Sequence, residues 1–140
     1  MSNTILLTPV KLGALALPNR ILMAPLTRGR ADAGSVPSAR MAEYYRQRAT
    51  AGLIISEGVP VSPQGVGYAG VPGIWSDEQV EGWKQVTRAV HAEGGRIFMQ
   101  IWHPGRAAHS GINGVQPISS SNKAIPNETT HTPCGKEPYE

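Results

Sequence analysis

Cysteine is almost absent from this 140-residue chain, where Cys134 is the single example. One cysteine cannot form an intrachain disulfide, and it cannot build a zinc site from several thiolates. No run of about 18 apolar residues is present, so no membrane-spanning helix is predicted. The opening MSNTILLTPVKLG lacks the charged segment and long apolar core of a secretory signal peptide. We therefore expect a reducing, cytoplasmic setting.

Clustered positive charge is also missing. Thirteen Lys and Arg residues are scattered along the chain against ten Asp and Glu residues, which gives a formal net charge of +3. Without a run of five or six basic residues, neither a nucleic-acid interface nor a basic membrane-binding surface is expected.

Metal ligands are sparse as well. His103 and His109 have no paired carboxylate at a useful spacing, so no metal site is predicted.

Glycine and proline are abundant instead, with 16 and 12 residues, and they cluster after each apolar run. Three apolar runs predict strands: RILMA at 20–24, LIIS at 53–56, and the start of RIFMQIWHPGR at 96–106. An additional hairpin around Gly13 is predicted over residues 8–19. The stretch from residue 107 to residue 140 is rich in Ser, Asn, Thr and Pro, and no element is predicted there.

Two predicted helices separate the strands. Ser38 caps the first, whose apolar face includes Tyr45, and Gly52 ends it. The capping box SDEQ at 76–79 opens the second helix, which carries an apolar stripe around Trp83. The resulting βαβαβ order predicts parallel pairing, and spacing alone allows either a doubly wound sheet or a (β/α)8 barrel. No G-x-G-x-x-G follows the first strand, which disfavours a dinucleotide-binding Rossmann half.

Polar or small residues follow each strand, at the end where barrels and open α/β sheets bind ligands. They are Thr27, Ser56, Glu57, Gly58, Gln100, Trp102 and His103. Three junctions of the same kind predict one shared binding site.

Four blocks carry a resemblance to a known family: APLTRGRA, EGVPVSPQGVGY, PGIWSDEQVEGWKQVTRAVHAEGGRIFMQIWHPGR and QPISSS. Together they resemble the old yellow enzyme family, in its N-ethylmaleimide and xenobiotic reductase branch, from about Leu6 onward. The resemblance implies an FMN-bearing (β/α)8 TIM barrel that takes hydride from NAD(P)H. Hydride then goes to the β-carbon of enones, maleimides or nitro compounds. Residues 1–140 would be the N-terminal portion of this single α/β domain, an N-terminal hairpin plus about three βα units.

The same resemblance implies a cofactor-binding set of Ala24, Pro25, Leu26, Thr27, Gly58 and Gln100. The Thr27 hydroxyl would donate to the flavin O4, and Gly58 would let the backbone approach the ring. Gln100 can donate and accept, which suits the N3–H and O2 edge of the flavin. Without the resemblance, a Gln100 that caps a strand or binds water is the favoured interpretation.

The resemblance also implies substrate-binding roles for Trp102, which would wall the pocket above the flavin, and for Tyr68, which would line its mouth. Core or surface packing is the alternative for both aromatics. Arg28 and Arg106 are interpreted as solvated or loop-bracing residues rather than ligand contacts.

No catalytic residue is expected in this chain. A (β/α)8 barrel needs about 250 residues, and its phosphate site follows strands 7 and 8. The family's substrate-anchoring His and His/Asn pair, its Tyr proton donor and its Arg near flavin N1 also lie further along. We therefore expect a split, cleaved or truncated reductase that needs its C-terminal complement and acts on small activated alkenes. The alternatives are a non-catalytic barrel fragment without flavin and a different barrel enzyme, such as a metal-dependent hydrolase. NADH and NADPH are left open.

Overall fold

A three-stranded parallel sheet lies at the centre of the computed structural model, which describes residues 4–140. Its strands are β3 (Leu22–Met23), β4 (Leu53–Val59) and β5 (Ile97–Ile101), in the order β3-β4-β5. Leu22 pairs with Leu53, and Ile54 pairs with Ile97. The parallel pairing predicted for these three strands is therefore confirmed.

Helices α1 (Ala39–Arg46) and α2 (Asp77–Ala92) connect these strands, and both begin at the predicted caps. The Met41 N–H donates to the Ser38 Oγ at 3.3 Å. The Ser76 and Gln79 pair forms the predicted capping box, since each side chain accepts the other residue's N–H. α1 is shorter than expected. After Gln47 the backbone hydrogen bonds tighten to i→i−3 spacing, and a run of turns leads into β4.

The core lies between the two helices and one face of the sheet. Its buried members are Met41, Tyr45, Ala49, Ile54, Val59, Trp83, Val86 and Val90. The Trp83 indole N–H donates to the Gly73 carbonyl at 2.9 Å, so the polar atom of this large side chain is satisfied. The helix faces predicted from spacing are thus the faces that pack.

The opposite face of the sheet is open in the part of the chain that the structure describes. Leu22 and Phe98 are 47% and 50% exposed, although parallel sheets are usually covered on both faces. β3 and β5 are both edge strands. The observed architecture is an open α/β unit, and the closed barrel stays a prediction.

All three strands end differently from the sequence predictions. β3 covers only two of the five residues predicted at 20–24. β4 continues to Val59, so Glu57 and Gly58 lie inside the strand rather than beyond it. Gln100 likewise lies within β5, paired with Gly58. The register shifts between Ile55 and Gly58, and this irregularity lets the pairing continue past the polar residues.

Two hairpins flank the sheet. β1 (Val10–Leu12) and β2 (Leu15–Leu17) form the predicted antiparallel hairpin, with Gly13 at φ +57°. The prediction of no element after residue 107 was wrong. That stretch holds the short helix α3 (Ser110–Asn113) and a second hairpin of β6 (Thr129–Thr132) and β7 (Gly135–Pro138). Across residues 4–140, no helix is both long and apolar enough to cross a membrane.

Candidate functional site

The predicted site residues gather at the carboxyl end of the sheet. Gly58 and Gln100 are paired neighbours, and the Gln100 N–H donates to the Ser56 Oγ at 3.1 Å. The Trp102 N–H donates to the Val59 carbonyl at 3.1 Å, which holds the chain beside β4 as it leaves β5. The structure therefore brings Gly58, Gln100 and Trp102 together.

Gly58 leaves room for the Trp102 indole. A Cβ at position 58 would lie 3.2 Å from the Trp102 Cγ and 3.3 Å from its Cβ, closer than most real contacts. The sequence pointed to a flavin approach at this glycine and missed this second reason for it. Any larger residue at position 58 would displace the indole.

Tyr68 and Trp102 form a stacked pair. Their ring centroids are 5.7 Å apart and their planes differ by 9°. Tyr68 is 41% exposed, so the pair presents an aromatic surface rather than core packing. The two residues predicted to contact substrate therefore form one wall, which we call the aromatic wall.

The loop that carries Tyr68 is held from two sides. The Asn113 Nδ2 donates to the Gln64 carbonyl at 3.1 Å and to the Val66 carbonyl at 3.2 Å. On the other side, the Ala31 N–H donates to the Gly70 carbonyl at 2.9 Å. Asn113 was missed from the sequence, because it lies in the stretch where no periodicity predicts an element.

Glu57 is a buried carboxylate next to this site, with 1% of its surface exposed. Its Oε2 accepts the Arg28 N–H at 3.1 Å and the Gly29 N–H at 3.4 Å. The Tyr45 hydroxyl donates to its Oε1 at 3.3 Å and accepts the Glu57 N–H at 2.9 Å. Burial raises the pKa of the Glu57 carboxyl above its usual range, while the two backbone N–H donors oppose that shift. Burial also raises the pKa of Tyr45, so its hydroxyl stays protonated at neutral pH.

Arg28 and Arg106 brace loops. The Arg28 guanidinium carbon lies 5.5 Å from the centroid of the Tyr44 ring. Arg106 donates to the Lys123 carbonyl at 3.4 Å. These contacts agree with the bracing role expected for both arginines.

The two histidines hold local turns. The His103 Nδ1 accepts the Gly105 N–H, and the His109 Nδ1 accepts the Gly111 N–H, each at 3.0 Å. Within residues 4–140, no group of three or more His, Cys, Asp or Glu side chains is arranged to hold a metal ion.

Comparison with known proteins places the chain in a family. The model of the NADH:flavin oxidoreductase / NADH oxidase family matches residues 5–139. This chain belongs to that flavin oxidoreductase family. The match confirms the resemblance carried by the four sequence blocks, and it runs through every residue of the candidate site.

Individual members of the flavin oxidoreductase family are similar over most of this chain. The 12-oxophytodienoate reductase 7 of Oryza sativa subsp. japonica is 50% identical over 123 residues, covering 86% of this chain and 31% of the relative. The old yellow enzyme homologue from Zymomonas mobilis superimposes with a TM-score of 0.91 at 52% identity, covering 96% of this chain and 38% of that structure. Morphinone reductase in complex with tetrahydroNAD gives a TM-score of 0.88 at 46% identity, covering 96% and 39%. The chain spans about a third of the length of these relatives.

FMN is the cofactor of this family and a reduced nicotinamide is its reductant, as the sequence predicted. The residues present fit a flavin ring. Ala24, Pro25, Leu26 and Thr27 are all exposed beyond β3, with Leu26 at 55%. Among residues 4–140, neither the Thr27 hydroxyl nor the Gln100 side-chain amide has a hydrogen-bond partner in the protein. A ring that combines flat faces with a donor–acceptor edge would use both features.

Proposed function

We propose that this chain is the N-terminal part of an FMN-dependent ene-reductase built as one (β/α)8 barrel. Bound FMN would carry hydride from NAD(P)H to the β-carbon of an activated alkene, such as an enone or a maleimide, with nitro compounds as a second class. The observation that supports it best is the position of the aromatic wall. Tyr68 and Trp102 stack, and the Trp102 indole lies against Gly58, the strand partner of Gln100, so the proposed substrate surface adjoins a proposed cofactor contact.

Each site residue has a distinct task in this proposal. Thr27 would donate one hydrogen bond to the flavin O4, and Gln100 would donate and accept along the pyrimidine edge. The aromatic wall would confine the alkene on one side and limit the access of water. Gly58 would keep the indole of Trp102 in place, since the indole fills the space of its missing side chain.

A complementary portion of the barrel is part of the proposal. Exposed apolar residues lie along the strands, with Leu22 at 47%, Phe98 at 50% and Ile101 at 59%. Both edges of the parallel sheet are unpaired in the described part of the chain. We infer that further strands pair with β3 and β5 and cover these residues, on a second chain or on the rest of a longer one.

The proposed function is tested by combining the chain with the matching C-terminal portion of the barrel in the presence of FMN. In the absence of oxygen, which would itself reoxidise reduced flavin, a yellow complex that oxidises more than one equivalent of NAD(P)H only when cyclohexenone or N-ethylmaleimide is present would support it. The complement alone is the control. A colourless complex, or NAD(P)H oxidation that ignores the alkene, would contradict it.

Replacing Thr27 with Ala should lower the two-electron potential of the bound flavin by roughly 20–45 mV. The lost hydrogen bond favours the reduced ring by about 1–2 kcal/mol, because added electron density makes O4 a better acceptor. About 30 mV corresponds to 1.4 kcal/mol for two electrons. Dye-coupled potentiometry of the complete enzyme measures the shift, and stopped-flow should show slower reduction by NAD(P)H.

Thr27→Ser is the matched control, since it keeps the hydroxyl and loses only a methyl group. A potential that stays at the wild-type value in Thr27→Ala, or rises, would show that the hydroxyl does not donate to the flavin.

Replacing Trp102 with Ile should change which face of a bulky enone is reduced and leave flavin occupancy nearly intact. Half of the aromatic wall would be lost, and an aromatic pair contributes about 0.5–1.5 kcal/mol beyond its buried area. This corresponds to a change of about 2–12-fold in product ratio, measured by chiral chromatography. Trp75→Ile, which lies outside the aromatic wall, is the control. Parallel loss of FMN and of all activity would instead make Trp102 a packing residue.

A further inference from the structure

Glu57 connects three parts of the molecule. It lies in β4, its Oε1 meets Tyr45 of α1, and its Oε2 meets the loop that follows β3. A buried carboxylate is costly unless donors satisfy it, and here the loop supplies two of them. In residues 4–140, no Lys or Arg nitrogen forms an ion pair with Glu57. The loop groups that its carboxylate holds are therefore backbone amides.

The Arg28 amide is bonded directly to Thr27, the residue proposed to contact the flavin. The Arg28 N–H belongs to the peptide group whose carbonyl is that of Thr27, and a peptide group is planar. The 3.1 Å bond to Glu57 therefore fixes the orientation of the whole plane that follows Thr27. The second bond fixes Gly29, whose φ of +58° places it in the left-handed region that favours glycine.

We propose that Glu57 is a positioning residue for the flavin: its Oε2 fixes the Thr27–Arg28 peptide and thereby aims the Thr27 hydroxyl, although Glu57 itself does not touch the ring. This inference rests on the function proposed above. The proposal explains why β4, an otherwise largely apolar and buried strand, contains the carboxylate of Glu57. The Tyr45 hydroxyl donates to the other carboxylate oxygen, Oε1, and thereby links the carboxylate to α1.

Amide hydrogen exchange in the complete, flavin-loaded enzyme is the first test. Glu57→Leu removes Oε2, the shared acceptor of both loop amides, so exchange at Arg28 and Gly29 should rise at least about tenfold. Glu57→Asp shortens the side chain by one methylene and should do the same while it keeps the charge, which covers the case of a Leu variant that does not fold. Glu57→Gln keeps an acceptor oxygen and should stay within about threefold of wild type. Tyr45→Phe removes the donor to Oε1 and the acceptor of the Glu57 N–H, but it leaves Oε2 in place, so both loop amides should stay protected.

The flavin potential is the second test, because a merely structural role would not couple to Thr27. Glu57→Asp should lower the potential in the same direction as Thr27→Ala. In the Thr27→Ala background the same replacement should shift the potential by less than about a third of its effect alone, since residues that act through one contact are not additive.

Unchanged exchange at Arg28 in both the Leu and Asp variants would overturn the proposal, and so would additive shifts in potential. A wild-type enzyme that holds no flavin would overturn the proposed function instead. In that case exchange measured in the same flavin-free enzyme would still decide whether Glu57 holds the peptide.

Discussion

FMN added to the 140-residue chain alone should bind at least about a thousandfold more weakly than it binds the complete enzyme. In the proposed function the chain would offer the ring Thr27 and Gln100, whereas a (β/α)8 barrel places its phosphate site after strands 7 and 8. Charge-assisted hydrogen bonds to a phosphate contribute about 1.5–3 kcal/mol each. Losing three of them amounts to about 4.5–9 kcal/mol, and every 1.4 kcal/mol is a factor of ten.

Riboflavin, which carries the same ring without the phosphate, is the matched control ligand. The chain alone should bind FMN and riboflavin within about threefold of each other, and the complete enzyme should strongly prefer FMN. Flavin fluorescence quenching measures both affinities, and circular dichroism checks that the chain is folded in the assay. Micromolar or tighter FMN binding by the chain alone, with discrimination against riboflavin, would show that the phosphate anchor lies within these residues.

Local signals in the sequence predicted much of the fold. Ser38 and the Ser76–Gln79 capping box mark helix starts through contacts only three residues apart, and spacing alone identified the face that carries Trp83. The hairpin of β6 and β7 was missed for the opposite reason. Its strands TTHT and GKEP have almost no apolar alternation, and their one buried residue is the polar Thr130.

The sequence named the residues of the candidate site but not the contacts that hold them in place. The roles of Thr27, Gln100 and Trp102 came from a family resemblance, because their residue types alone fit several tasks. The contacts that position the site join residues far apart in the chain, such as Glu57 with the Arg28 amide and Asn113 with the Gln64 carbonyl. Nearly every residue has a backbone N–H and a carbonyl, so the sequence does not mark which of them will pair with a given side chain. A charge inside the apolar run LIISEGV was the one visible sign of Glu57.

Replacing Trp83 with Ala should lower the free energy of unfolding by about 3–5 kcal/mol, the range for removing a large aromatic side chain from a core. Trp83 is 4% exposed and packs between α2 and the sheet, with its ring centroid 6.4 Å from that of Tyr45. Domains are stable by only about 5–15 kcal/mol, so this one change removes a large part of the total.

Trp83→Phe separates the loss of the aromatic ring from the loss of the indole hydrogen bond. It keeps an aromatic ring in the core but gives up the indole N–H bond to the Gly73 carbonyl, a bond that typically contributes about 0.5–1.5 kcal/mol. The Phe variant should therefore lose clearly less stability than the Ala variant, as measured by urea unfolding followed by circular dichroism. If Trp83→Ala cost less than about 1 kcal/mol, α2 would not pack on the sheet through this residue.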